Sequence, residues 1–212
     1  MTLKTSKDQN PKKKVEMKDL ILRAALKSFF KNGYDGTNLR LVASHVGIVA
    51  PSIYNYFKNK QDLLFSCLEL ELISLVEKTK NAIAPHNNDP KAQLAAYIRA
   101  QISFNFERHG LDTAYARLHK LGTLQNNINS LQASAVRKVE RAQLDLLRSI
   151  LKDGSDNNIF DIDYLTPTAF AVLGVIENIS VWFDPKQQLG LKGVTDHAIR
   201  MAYRLVGCKF SP

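Results

Sequence analysis

Apolar residues recur along this chain at helical spacing, and no stretch alternates convincingly in the two-residue period of a strand. Leu22, Ala25, Leu26 and Phe29 fall at i, i+3, i+4 and i+7, one buried face of a first helix. Gly33 predicts its end, because glycine accepts the left-handed conformation that closes a helix. Thr37 suits the N-cap of a second helix, in which Leu39, Val42, Ala43 and Val46 repeat the spacing. Gly47 interrupts it, and a third short helix is predicted from about Pro51 to Phe57. Proline fits there because the first turn of a helix needs no internal N–H bond.

Longer helices follow. Asn59 to Asp62 resembles a capping box with Asp in place of Glu. It opens a helix that ends before Pro85, with Leu68, Leu72, Leu75 and Val76 as its stripe. Asp89 and Pro90 start the next, running to about residue 108 and stopping at Gly110. A shorter helix is predicted at about 112–122, and a long amphipathic one at roughly 127–152, ended by Gly154. Thr166 and Pro167 begin a helix reaching Phe183, and Thr195 begins the last, which ends near Gly207. The expected fold is all-α with about nine helices, without a repeat.

Charge changes this picture. Of the net +9, residues 1–65 carry +7 and the longer remainder only +2. A basic head on a near-neutral body points to a polyanion partner for the head, nucleic acid or an anionic membrane surface. Residues 1–15 are polar, lysine-rich and without periodicity, and read as a flexible basic arm. That arm either solubilises the chain or touches DNA. The domains expected after it are 16–64 and 65–212. No apolar run follows the first lysines, and no stretch is long and apolar enough for a membrane span. Cys67 and Cys208 have no metal-ligand spacing and read as reduced thiols of a cytoplasmic protein. No metal or cofactor is expected.

Thr37 to Phe57 has the parts of a helix-turn-helix. Ala43 is small where two helices cross, Gly47 turns the chain, and Val46, Ile48, Ile53 and Phe57 lock the second helix onto the first. The outer face then carries Ala50, Pro51, Ser52, Tyr54, Asn55 and Tyr56. Asn can read adenine bidentately, Ser can pair with several bases, and Ala or Pro can touch a thymine methyl. Lys58 and Lys60 follow where phosphates run.

The segment ILRAALKSFFKNGYDGTNLRLVASHVGIVAPSIYNYFKNKQDLL resembles the N-terminal domain of TetR-family repressors. The family's Gly-Tyr-x-x-Thr turn stands here as Gly33, Tyr34 and Thr37. Its helix-turn-helix pattern stands as Gly47-Ile48, Ile53-Tyr54, Tyr56-Phe57, then Lys60 and Leu63. Two departures matter most: Val49 replaces the usual Ser or Thr cap, and Ala50 replaces a common Lys or Arg; Tyr56 for the usual His is a modest third. The resemblance implies phosphate contacts at Thr37, Tyr54 and Lys60. It implies a base-facing group of Arg40, Ala50, Pro51, Ser52 and Asn55, with Lys12, Lys13 and Lys14 reaching the minor groove or nearby phosphates.

For the remainder the resemblance implies a ligand-binding and dimerisation domain, with a homodimer through the last two helices. The residues agree: between Thr166 and Phe183 only Glu177 and Asn178 are strongly polar inside the helix, so more than one side must be covered. Leu94, Tyr97, Ile98, Gln101, Ile102 and Asn105 share one face of the helix at 90–108. Gln101 and Asn105 are unusual in such a stripe; they are either paired within the fold or meet a ligand. Phe104, Tyr115, Leu118, Trp182 and Phe183 are further candidate walls, or plain core. Lys152-Asp153-Gly154, Phe160 with Asp163, and Trp182-Phe183-Asp184-Pro185 loosely resemble family members that sense acyl-CoA or related CoA thioesters. Arg108, Arg117, Arg137 and Arg141 could meet an anionic ligand, although solvated helix faces explain most of them more simply.

The function expected is therefore a ligand-responsive repressor bound to a pseudo-palindromic, double-stranded DNA operator, its partners being that operator, a small effector and a second copy. The competing class is a charge-driven binder of nucleic acid or membrane surface without a sensor. An enzyme is not expected: no phosphate-binding glycine loop, dinucleotide fingerprint, zinc-protease pair or nucleophile elbow is present, and the five histidines lack ligand spacing.

Overall fold

The computed structural model describes residues 11–107, 130–184, 186 and 188–208. The described residues hold seven α-helices and two short 3-10 helices, and no strand. The fold is all-α. The helix expected at 112–122, with Tyr115, Arg117 and Leu118, lies outside the described residues, as does Arg108 before it.

Helix α1 spans Pro11–Gly36 and is broken at Gly33, where φ is +67°. It begins eleven residues before the stripe does at Leu22, with Pro11 supplying a first residue that needs no N–H partner. Lys12, Lys13 and Lys14 are therefore exposed positions of a helix, not of an extended arm. Helix α2 spans Leu39–His45. Its cap is Asn38, whose side chain accepts from the Arg40 N–H at 2.9 Å, and not Thr37. Both residues are good caps, but Thr37 is buried and its hydroxyl donates to the Gly33 carbonyl at 2.7 Å. A 3-10 helix, Ala50–Asn55, follows, and then α3, Lys60–Ile83. The Asn59 side chain accepts from the Asp62 N–H, and the Asp62 carboxylate accepts from the Lys58 N–H, each at 2.8 Å. The expected capping box thus forms with its return bond displaced by one residue.

The second 3-10 helix, Ala84–His86, leads to α4, Pro90–Glu107, capped by Asp89 through the Ala92 N–H at 2.9 Å. Helix α5 is Ser130–Asp156, α6 is Leu165–Trp182 and α7 is Gly190–Leu205. Gly154 does not end α5. A Cβ there would lie 2.0 Å from the Phe160 ring, so the glycine makes room for that buried side chain. Nor does Thr195 start α7: its hydroxyl bonds back to the Leu191 carbonyl at 2.7 Å inside a helix that began at Gly190. Helix α7 closes with Cys208 N–H on the Tyr203 carbonyl and Gly207 N–H on the Arg204 carbonyl. This doubly bonded ending requires the left-handed Gly207, at φ +60°.

The chain divides into two compact units after Leu68. The first buries Ile21, Leu22, Ala25, Leu26 and Phe29 of α1, Val42 and Ala43 of α2, then Ile53, Phe57, Leu63 and Leu64. In the second, α4 is the central helix, packed on α5, α6 and α7. Leu94, Tyr97, Ile98 and Ile102 of α4 are almost fully buried among Leu147, Leu151, Val172, Ile176, Val194 and Ala202. Among the described residues no helix is long and apolar enough to cross a membrane, and no cluster of side chains could hold a metal.

Candidate nucleic-acid interface and effector site

The turn of the first unit is built by main-chain geometry. Ile48 N–H bonds to the Ala43 carbonyl at 3.1 Å and Gly47 N–H to the Ser44 carbonyl at 3.2 Å, the same doubly bonded ending as in α7. It needs a left-handed residue, and Gly47 has φ +75°. Ala43 is completely buried where α2 meets its neighbours, and a larger side chain there would push them apart. The segment that follows is tighter than the predicted α-helix: Ser52 N–H bonds to the Val49 carbonyl and Tyr56 N–H to the Ile53 carbonyl, both three residues back. It is only six residues long and includes Pro, Ser and Asn, poor material for an α-helix interior. Ile53 and Phe57 pin its inner face in the core.

Its outer face presents Pro51, Tyr54 and Asn55 to solvent, with Ser52 and Ala50 partly covered. Arg40, in the first turn of α2, and Lys58 are exposed on either side of the turn segment in sequence. Tyr56 is half-buried. Lys60 is more tied down than a free phosphate contact. Its ammonium donates to the Asp35 carbonyl at 3.3 Å and lies 4.6 Å from the centre of the Tyr34 ring. Desolvation there lowers its pKa, only partly opposed by the Asp35 charge. Lys18 sits over the Phe57 ring in the same way, at 5.7 Å.

In the second unit Gln101 is buried, as the stripe implies, and its amide donates to Gln143 Oε1 at 2.8 Å and to Thr79 Oγ1 at 3.3 Å. The Tyr97 hydroxyl donates to the Gln143 carbonyl at 3.3 Å. Burial pushes that phenol far above the ordinary tyrosine range, with the Glu177 charge adding to it, so it stays a neutral donor. Gln143 Nε2 is buried without a hydrogen-bond partner among the described residues, at a cost of about 1–3 kcal/mol. Phe104 and Phe183 are buried, and Phe183 meets Phe106 edge-on at 5.6 Å. Asn105 is half-buried.

Residues 21–67 match the pattern described as bacterial regulatory proteins, tetR family. Residues 87–206, more than half the chain, match the tetracyclin repressor-like C-terminal domain. The chain belongs to the TetR family. It is a DNA-binding transcriptional regulator. It is 28% identical over 178 residues to the uncharacterised helix-turn-helix regulator YhgD of Bacillus subtilis, covering 82% of this chain and 86% of that one. Its fold is shared by FadR of Bacillus subtilis in complex with stearoyl-CoA, at TM-score 0.68 and 22% identity over 91% of this chain and 99% of that one. It is also shared by AibR in complex with isovaleryl coenzyme A and operator DNA, at TM-score 0.66 and 19% identity over 91% of this chain and 100% of that one.

Within the TetR frame, several expected site residues change place. Thr37 is 3% exposed and spends its hydroxyl inside the fold, so it is not the surface phosphate contact expected. Trp182 is 59% exposed on the outer side of α6 and is not an interior wall. It lines a groove of about 360 Å³ between α6 and α7 with Gly174, Asn178, His197 and Met201. Two residues were missed. Thr79 and Gln143 are buried polar groups in apolar stripes, the same signal that singled out Gln101, and periodicity applied to α3 and α5 finds them. Val49, which caps nothing with its side chain, is 69% exposed at the entry to the turn segment.

Proposed function

We propose that this TetR-family regulator is a homodimeric repressor, released from a pseudo-palindromic operator by an apolar effector of the acyl-CoA class. The observation that carries the DNA half is the glycine-closed turn that leaves Pro51, Tyr54 and Asn55 outward while Ile53 and Phe57 anchor the segment. Asn55 and Pro51 face bases in this reading, Arg40, Tyr54 and Lys58 track phosphates, and Lys12 to Lys14 extend the basic surface along α1. Dimerisation is supported by the apolar residues that α6 and α7 leave in water: Phe170, Val181, Trp182, Met201 and Leu205 are between 38% and 80% exposed. The α6–α7 groove suits the matching pair of helices of a second copy related by a two-fold axis. The CoA-thioester class is supported by the thioesters held by FadR and AibR. Nothing in the family assignment calls for catalysis, and the reading is a sensor, not an enzyme.

Two subunits place their recognition segments in successive major grooves, roughly 34–36 Å apart. A ligand that favours any other spacing opposes DNA by the same factor that DNA opposes it. Fluorescence anisotropy with the regulator's own upstream DNA tests this at fixed, moderate salt. Scrambling the site should weaken binding by orders of magnitude, and palmitoyl-CoA or isovaleryl-CoA should reverse it. Equal affinity for scrambled DNA would leave only a charge-driven binder.

A further inference from the structure

Thr79, Gln101 and Gln143 come from α3, α4 and α5 and meet in the interior of the second unit. The direction of their hydrogen bonds is fixed. The Thr79 hydroxyl gives its proton to the Leu75 carbonyl at 2.7 Å, so toward Gln101 it can only accept. Gln101 Nε2 therefore faces Thr79 Oγ1 and Gln143 Oε1, and both its hydrogens are used. Turning the Gln143 amide over would set nitrogen against nitrogen. Gln143 Nε2 is thus the open end of the chain of donors, on a residue only 8% exposed. Tyr97 holds the Gln143 main chain from α4.

Glu140 lies one turn before Gln143 on α5, and Glu177 of α6 is electrostatically close to both Glu140 and Tyr97. An oriented, desolvated amide N–H with an acidic residue one turn away on its own helix favours a neutral oxygen acceptor over a carboxylate. We propose that Gln143 Nε2 reads the carbonyl oxygen of a neutral acyl group, the thioester carbonyl of an acyl-CoA, and that Gln101 and Thr79 hold its amide in the donating orientation. The proposal rests on the CoA-thioester reading above and adds which atom is recognised and by which residue.

The test compares each thioester with the thioether that lacks only the carbonyl oxygen: palmitoyl-CoA with S-hexadecyl-CoA, and isovaleryl-CoA with S-isopentyl-CoA. Binding to the full-length dimer is measured by calorimetry, and DNA release by anisotropy. The wild-type protein should prefer the thioester by about tenfold, the yield of one buried hydrogen bond. Gln143→Met should bring the ratio to about one while leaving thioether affinity in place, and Gln101→Met should reduce it partway. Equal binding of thioester and thioether by the wild-type protein overturns this assignment and leaves the CoA-thioester reading standing. If neither binds while operator binding is intact, both readings fall. If Gln143→Met does not fold, Gln101→Met carries the assignment: a thioester preference that it leaves undiminished overturns the role of this cluster.

Discussion

Gly47→Ala isolates what the turn of the DNA-binding unit costs. A Cβ at Gly47 would have nothing within 4 Å, so crowding plays no part and the cost is backbone strain at φ +75°. A side chain in the left-handed region costs about 1–2 kcal/mol. Alanine returns about 0.4–1 kcal/mol by restricting the unfolded chain. Taking the middle of each range, the net loss is about 0.8 kcal/mol, confined to the turn and what it holds. Native-state hydrogen exchange of the full chain, read on the amides of Gly47 to Phe57, should show protection falling by about fourfold, with α4 to α7 unchanged. Gly47→Asn should lose less than Gly47→Ala, because asparagine tolerates this conformation better. Operator affinity should fall only as far as the turn opens. Unchanged protection in Gly47→Ala, or a greater loss in Gly47→Asn, would show that the left-handed turn is not what holds the segment.

Gly154→Ala fails for the opposite reason: its backbone is helical, but the Phe160 ring occupies the space, so overpacking should cost about 1–3 kcal/mol in urea unfolding. Adding Phe160→Ala should cost less than the sum of the two singles. Asn55→Ala should relax base preference at one operator position by about 1–3 kcal/mol, whereas Lys58→Met should weaken all sequences alike and lower the salt slope by about 0.9 per subunit. The Glu177 carboxyl is held above the ordinary carboxylate range by desolvation and then by Glu140. The fold keeps that proton to higher pH than the unfolded chain does, so stability declines as pH rises through the carboxylate range. Glu177→Gln should therefore melt higher than wild type at pH near 7, with the gap closing below pH of about 4. Val181 is 80% exposed on α6, and Val181→Asp should shift sedimentation toward monomer with helix content retained.

Where a residue's role is local, periodicity and punctuation located it. The α1 stripe, the break at Gly33, the turn at Gly47 and the Asp89–Pro90 start depend on the backbone within a few residues. Misreadings arose where tertiary contacts decide between local options. Thr37 and Asn38 are both able caps, and the choice falls to Asn38 because Thr37 is drawn inward by Gly33 and Ser28. Gly154 resembles a helix stop from its neighbours in sequence, whereas its reason lies six residues on, in a ring that folds back over α5. Thr195 resembles a start, yet its hydroxyl is equally content on the carbonyl one turn behind. The outward turn of Trp182 was hidden because α6 is apolar nearly all round, so sequence alone assigns no inner face.

The departure at Val49 shows how a lost feature can be balanced within the same few residues. No side chain caps the turn segment, and a missing cap ordinarily leaves several N–H groups unsatisfied. Here Pro51 has no N–H to satisfy, and Ser52 N–H closes on the Val49 carbonyl at 2.9 Å. A capping side chain reaches the second or third N–H of a helix, and here those positions are Pro51 and the already bonded Ser52, so a Ser or Thr at Val49 would gain little. The side chain is thereby released to the surface, where two methyl groups stand at the entrance to the base-facing segment. Methyl groups there complement thymine rather than phosphate. On the proposed reading of the turn segment as base-facing, the substitution moves this position from stabilising the helix toward reading DNA. Operator preference in this regulator should depend on Val49 more than family resemblance alone implies.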